Sequence, residues 1–461
     1  MFFKKLIGDK ALYKTILALA IPIMIQNGIT NFVNMLDNVM VGRVGTLQMT
    51  GVAVTNQLIF VFNLCIFGAI SGAGIFGAQF FGKGDHEGVR HTFRFKIIFC
   101  TLLCIAGILI LIFGGNTLIN MYLKGEGNPA DIAETLKYAR EYMLIMLIGL
   151  LPYTLAQCYS STLRETGHAV LPMVAGVAAV IVNLCLNYIL IFGKFGAPAL
   201  GVNGAAIATV ISRFAELLIV ALWAGIKKKE NPFIIGAFKS FYIPKNLIKG
   251  ISAKGLPLML NETLWASGMA TLSQCYSIRG INVVAAHNIS QTFFNVFSVA
   301  FMAVGIAIGI LLGQMLGAGK TEEVKSASLR LSFFSVFVSV VIAVVYFFAA
   351  EFIPEAYNTE NNVRSIATAL MQITAITMPL DAYAHASYFT LRSGGKTAVT
   401  FIFDSGFMWV IAVPIVFILS RFTSLSVLYL YTICQSLNFL KCLIGFYFVK
   451  KGSWIKNIIE N

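Results

Sequence analysis

Five carboxylates stand inside long apolar stretches of this chain: Asp37, Glu216, Glu262, Asp381 and Asp404. A carboxylate at the centre of a bilayer costs on the order of 2.5 to 3.5 kcal/mol on insertion scales, so an acid kept there faces a cavity, an ion or a partner. Glu262 lies in the run Leu-Pro-Leu-Met-Leu-Asn-Glu-Thr-Leu-Trp and shares a helical face with Trp265, Met269 and Ser273, with Tyr276 further along the run. Asp381 follows Pro379, and His385 and Tyr388 continue its stripe at the fourth and seventh positions onward. The proline frees a carbonyl one turn earlier, placing an oxygen donor beside a carboxylate. Hard oxygen ligands suit a small cation, and two neighbouring carboxylates can also trade protons. Glu262 and Asp381 are therefore expected to hold a small cation such as sodium or to exchange protons, and either ion could be the driver.

The other acids carry competing readings. Asp37, beside Asn34 and Asn38, lies near the outer end of its apolar run and either caps the helix or reaches the interface, or has a functional role. Glu216 follows Arg213 by three positions, the spacing of an intrahelical ion pair. Asp404 comes after Lys396 and suits either a structural partner for a basic loop or a role in transport. Amides form a second constellation: Asn183 with Asn187, Asn288 with Gln291 and Asn295, and Gln26 with Asn27. Such amides join helices more often than they bind ligands, but at helical spacing each pair presents one polar face to a cavity. His385, one turn after Asp381, is either packed core or a proton and hydrogen-bond partner.

Catalytic chemistry finds no foothold. There is no HExxH zinc helix, Gly395-Lys396-Thr397 lacks the rest of a phosphate loop, and the eight cysteines show no metal or redox spacing. Cys100 and Cys104, four apart, read as core thiols. No catalytic residue and no organic cofactor is expected, and the chain does not read as an enzyme.

The elements that must position these groups follow from composition. Apolar residues make up 58% of 461 positions and charged residues 12%, about half the usual share of a soluble domain. Only a bilayer absorbs so much apolar surface, and helices satisfy their own backbone there. Apolar runs broken by Gly, Pro and charge predict twelve spans, beginning near residues 14, 52, 95, 136, 169, 204, 253, 284, 329, 364, 398 and 424. The first run follows Lys4 and Lys5 but is too long for a signal peptide and lacks its cleavage site. About 24 of the 34 Lys and Arg fall in the termini and even-numbered loops, with Arg213 and Lys441 alone read as lying inside spans. That asymmetry places both termini in the cytoplasm by the positive-inside rule. The net charge of +14 thus reports topology, and nucleic acid is not an expected partner.

An internal repeat organises the spans. Gln-Phe-Phe-Gly-Lys-Gly from Gln79 returns as Gln-Met-Leu-Gly-Ala-Gly from Gln314, and Thr162-Leu163-Arg164 with Gly167 returns as Thr390-Leu391-Arg392 with Gly395. Pro22 and Pro257 sit early in their spans, and Pro152 and Pro379 open theirs. Six spans per half return the chain to the same side, so the repeat is parallel. The expected fold is an all-α membrane protein of twelve transmembrane helices in two six-helix bundles: a lobe over 1–226, a cytoplasmic linker over 227–252, and a lobe over 253–461. Such repeats bind substrate between or within the bundles and alternate access by rocking.

With these residues in place, the chain resembles the multidrug and toxic compound extrusion (MATE) family of antiporters. The resemblance rests on Asp37-Asn38-Val39-Met40-Val41-Gly42, Gln79 to Gly84, Asn203-Gly204-Ala205-Ala206, Asn261-Glu262 and Pro379-Leu380-Asp381-Ala382 across the whole chain. It implies exchange of flat lipophilic organic cations for sodium or protons in the plasma membrane. It also makes Glu262 and Asp381 the cation site of the second lobe and Asp37 the acid of the first. Members with a proton site in the first lobe carry an aspartate in span five, where this chain has Asn183 and Asn187, so the resemblance tilts toward the NorM-like branch and toward sodium. Trp265, Met269, Tyr276, Asn288, Gln291, Asn295, His385, Tyr388, Asn183 and Asn187 are the expected cavity lining, and a monomer the expected state. The rival reading is a lipid-linked saccharide flippase of the same superfamily, which would need a basic or hydrophilic groove.

Overall fold

The computed structural model describes residues 8–123, 128–357 and 359–460, and leaves out the side chains of Met35, Asn38 and Val39. Lys4, Lys5 and the Asn38 side chain thus lie outside the described residues. No strand occurs among the described residues. The helices are α1 (Lys10–Gly42), α2 (Thr46–Lys83), α3 (His86–Leu123), α4 (Pro129–Glu165), α5 (Val170–Phe192) and α6 (Gly201–Ile226). After a short 3-10 turn at Pro232–Ile234 come α7 (Lys245–Ser277), α8 (Ile281–Phe297), α9 (Val299–Gly317), α10 (Thr321–Phe352) and α11 (Asn361–Ser393). The chain ends with α12 (Thr397–Phe401), α13 (Val413–Phe422) and α14 (Val427–Lys451).

The eighth span is α8 and α9 in series, meeting at Ser298, whose N–H still donates to Phe294 at 2.8 Å. The eleventh is α12 and α13 joined by two π-helical stretches, Ile402–Gly406 and Met408–Ala412. Among the described residues, eleven helices are long and apolar enough to cross a membrane. The seventh expected span, α7, is not among these, because its apolar run is broken by Lys249, Lys254, Asn261 and Glu262. At 38 residues, α2 and α3 reach about 57 Å and outrun a hydrocarbon layer of about 30 Å.

The repeat is visible in geometry. Helices α1 and α7 are each 33 residues long, with Pro22 and Pro257 each twelve positions after the helix start. Pro152 and Pro379 lie well inside α4 and α11, which run unbroken through them; they do not open those helices, because both helices begin in polar N-terminal turns that extend beyond the apolar run.

By compactness the chain forms two units. The first comprises Met1–Met24, Ala78–Asp85 and Ala253–Asn461, and the second Ile25–Gly77 and His86–Ser252. In the first, α11 is the hub and packs on α8, α9, α10 and α14. Its core holds Tyr276, Phe301, Tyr346, Met371, Met378 and Tyr431, with Met269 packed against it. The ends of α2 and α9 also cross here. A Cβ on Gly82 would collide with the Gln314 carbonyl, and a Cβ on Gly317 with the Gln79 carbonyl, so the two repeated motifs meet through reciprocal glycines. In the second unit, α6 packs along both α4 and α5. Residues 232–242 dock on α3, where the Arg94 guanidinium donates to the carbonyls of Gly236 (2.7 Å), Ala237 (2.8 Å) and Tyr242 (3.1 Å).

Candidate cation site

In the first unit one hydrogen-bonded network joins α7, α11, the π-helical stretch and α14. Its pin is Asn261. A π-helical turn leaves backbone groups without regular helical partners, and the Asn261 side-chain oxygen accepts the Ser405 N–H at 3.2 Å and the Ser405 hydroxyl at 2.8 Å. The Asn261 amide donates to Asp404 Oδ2 at 3.0 Å and to the Tyr388 hydroxyl at 3.4 Å. Tyr388 in turn donates to Glu262 Oε1 at 3.3 Å. Trp409 adds a second pin, its indole N–H donating to the Leu264 carbonyl at 2.8 Å.

The face of α14 formed by Tyr431, Gln435, Asn438 and Lys441 serves the other two acids. Asn438 donates to Asp381 Oδ1 at 2.6 Å, and one turn on Lys441 Nζ donates to Asp404 Oδ1 at 2.5 Å. Gln435 continues the line to the Tyr431 hydroxyl at 3.0 Å, which shares a 2.8 Å hydrogen bond with Thr374. Glu262 and Asp381 thus each accept from a neutral donor, whereas Asp404 meets an ammonium. Oxygen-rich, partly solvent-reachable carboxylates of this kind can hold a small cation or a proton.

The remaining expected residues fall in several places. His385 sits among rings, 5.0 Å from Phe389, 6.3 Å from Phe301 and stacked on Tyr388 at 6.4 Å. Tyr276 is buried in the core, edge-on to His287 and Tyr431. Trp265, Met269 and Gln291 are half-buried, while Asn288 and Asn295 are exposed on α8.

The second unit has its own acid. Asp37 accepts from the Asn187 amide at 2.6 Å, Asn187 also donates to Asn183 at 3.1 Å, and Asn183 meets Thr209 at 3.2 Å. With the Asn183 amide turned over, its nitrogen also donates to Asp37 at 3.1 Å. Span five therefore gives Asp37 two neutral amides. Arg213 and Glu216 form the expected ion pair at 3.2 Å, with Arg213 also over the Tyr153 ring.

Four groups escaped the sequence reading. Lys96, counted as a loop cation, is fully buried in α3 and paired with Glu165 at 2.7 Å, with Ser161 and Thr162 as further partners. Glu165 is thus a sixth buried acid; it lies against α2 where only glycine fits, since a Cβ on Gly77 would strike its carboxylate. Arg164, likewise assigned to a loop, lies in α4 and donates to Gln26 at 2.6 Å, and Arg392 is buried in α11. Helices consequently hold more basic residues than Arg213 and Lys441. Asp404 pairs with Lys441 and not with the basic loop that holds Lys396. Cys100 and Cys104 are buried and not joined in a disulfide.

A polytopic helical bundle with carboxylates held inside it is the build of a membrane transporter, and comparison with known proteins names the kind. The MatE family model matches residues 22–189 and again 257–418, two copies whose starts lie 235 positions apart, the offset that relates Gln79 to Gln314. The chain belongs to the MatE family, whose members are transporters and not enzymes. It is 25% identical over 425 residues to the probable multidrug resistance protein NorM of Thermotoga maritima, covering 90% of this chain and 87% of that one. It is 26% identical over 402 residues to the multidrug resistance protein MdtK of Yersinia pestis, covering 87% and 86%. Among solved structures, a MOP superfamily transporter from Pyrococcus furiosus, described as having a binding pocket of reverse polarity, superposes with a TM-score of 0.87 at 20% identity over 98% of both chains. An outward-facing multidrug resistance MATE transporter of the same superfamily superposes with a TM-score of 0.86 at 19% identity, over 97% of this chain and 98% of that one.

Proposed function

We propose that this protein exports organic, lipophilic cations in exchange for sodium or protons, with Glu262 and Asp381 as the coupling acids and Asp37 as a third acid in the other unit. The observation that carries the reading is the contrast among the network's acids: Glu262 accepts from Tyr388 and Asp381 from Asn438, both neutral donors, in helices long enough to span a bilayer. A carboxylate supported in this way retains charge for an exchangeable cation. The multidrug resistance names of NorM and MdtK agree in kind. Ion and substrate compete for the same negative charge, and that competition couples their fluxes. Soft and aromatic side chains such as Met269, Trp265 and Tyr388 suit varied flat cations. Three of the helix cations are already engaged within the protein, Lys96 by Glu165, Arg164 by Gln26 and Lys441 by Asp404, which speaks against the basic groove of a saccharide flippase. The protein works as a monomer in the plasma membrane with both termini in the cytoplasm.

The test is competition at equilibrium. A fluorescent organic cation binds the purified protein, and either sodium or acidification displaces it by raising its apparent Kd without lowering the number of sites. Binding indifferent to both ions refutes the exchange mechanism.

A further inference from the structure

Lys441 is a charge placed in the middle of a membrane-spanning helix, a position where an ammonium persists only against a partner. Its partner is Asp404, at 2.5 Å, and the same Asp404 carboxylate is also held by Asn261 at 3.0 Å. Asp404 sits in the π-helical stretch that Asn261 pins through Ser405, so the pair is built into backbone geometry as well as side-chain contact. One turn earlier on α14, Asn438 holds Asp381. A single helix face therefore presents a permanent cation to one carboxylate and a neutral amide to the next. Lys441 from α14, Glu262 from α7, and His385 and Tyr388 from α11 bear electrically on Asp404; Lys441 also bears on Asp381, and Arg392 from α11 bears on Glu262, Tyr388 and His385.

We infer that Lys441 is a resident cation for Asp404, which withdraws that carboxylate from exchange and limits the cations exchanged in this unit to those held by Glu262 and Asp381. The inference rests on the exchange mechanism proposed above and specifies its stoichiometry. Without the ammonium, Asp404 becomes a third vacant carboxylate on the same network, one Asn261 away from Tyr388 and Glu262.

Two measurements on the purified full-length protein test this without any substrate. The first counts protons taken up in sodium-free solution on acidification from about pH 9 to about pH 5. Lys441→Gln takes up one more proton per chain than the wild type, and Lys441→Gln/Asp404→Asn and Lys441→Arg return to the wild-type count. No extra proton in Lys441→Gln, or an extra proton that survives in the double variant, overturns the inference. The second uses the wild type alone: a membrane-permeant carbodiimide, which attacks protonated carboxyls, modifies Glu262 and Asp381 and spares Asp404 by mass spectrometry. Modification of Asp404 at the rate of the other two overturns it equally. Neither readout depends on export, so a protein that counts protons as expected but fails to move organic cations disproves the transport reading alone.

Discussion

Glu262 and Asp381 differ from the other buried acids in what holds them, and the difference sets what each substitution does. Glu262→Gln and Asp381→Asn remove charge from a site held by neutral donors, so each lowers cation-driven export at least about tenfold, the equivalent of about 1.4 kcal/mol, with little change in melting temperature. Lys96 and Glu165 behave in the opposite way. Breaking their buried pair strands a charge, so Lys96→Met lowers stability by about 3 to 5 kcal/mol, while Lys96→Met/Glu165→Met recovers most of it; thermal unfolding in detergent reads both. Glu262 and Asp381 were legible because an acid interrupts a long apolar run on either side. Lys96 and Glu165 were not, because each sits near a helix end among other charges and their pairing spans 69 positions. Asp404 was half legible: its burial followed from the run, but its partner Lys441 lies on a helix 37 residues on, and only packing brings them together.

At the scale of elements, the π-helical stretch and its pin on α7 fix where Asp404 points. Asn261→Ala leaves the Ser405 N–H and one Asp404 oxygen without their partner, which costs about 1 to 3 kcal/mol, and the midpoint of thermal unfolding falls while the spans still insert. Asn261→Asp places like charge beside Asp404 and is worse than the alanine variant by the same assay. The spans themselves were readable from apolar runs, and the paired prolines at Pro22 and Pro257 gave away the repeat. The π-helical turns were not readable, since Phe403-Asp404-Ser405-Gly406-Phe407 has no feature that separates it from an ordinary helix. The helices also run well past the apolar runs, by polar turns at their ends, which is why Pro152 and Pro379 fall inside α4 and α11.

Across the whole molecule the two repeats keep the frame and diverge in charge. The position 235 before Glu262 is Asn27, and the one 228 before Asp381 is Tyr153, so the second copy alone carries these acids. The family match in two copies was legible from the Gln79 and Gln314 motifs; the reciprocal packing of Gly82 against Gln314 and Gly317 against Gln79 was not, because a glycine's role in a close crossing depends on the backbone it meets. With six spans in each half, a membrane-impermeant thiol reagent applied from outside intact cells spares cysteines introduced at Asp9 and Ser453 and labels one introduced at Lys194; labelling of either terminal site overturns the orientation. Exchange is tested most directly by flux. Purified protein in liposomes, loaded with a fluorescent organic cation and given a sodium gradient or a pH gradient separately, drives the dye against its own gradient with at least one of them, and Glu262→Gln/Asp381→Asn abolishes that uphill movement. Dye that moves only down its gradient in the wild type, or uphill movement that survives in the double variant, contradicts coupling at Glu262 and Asp381.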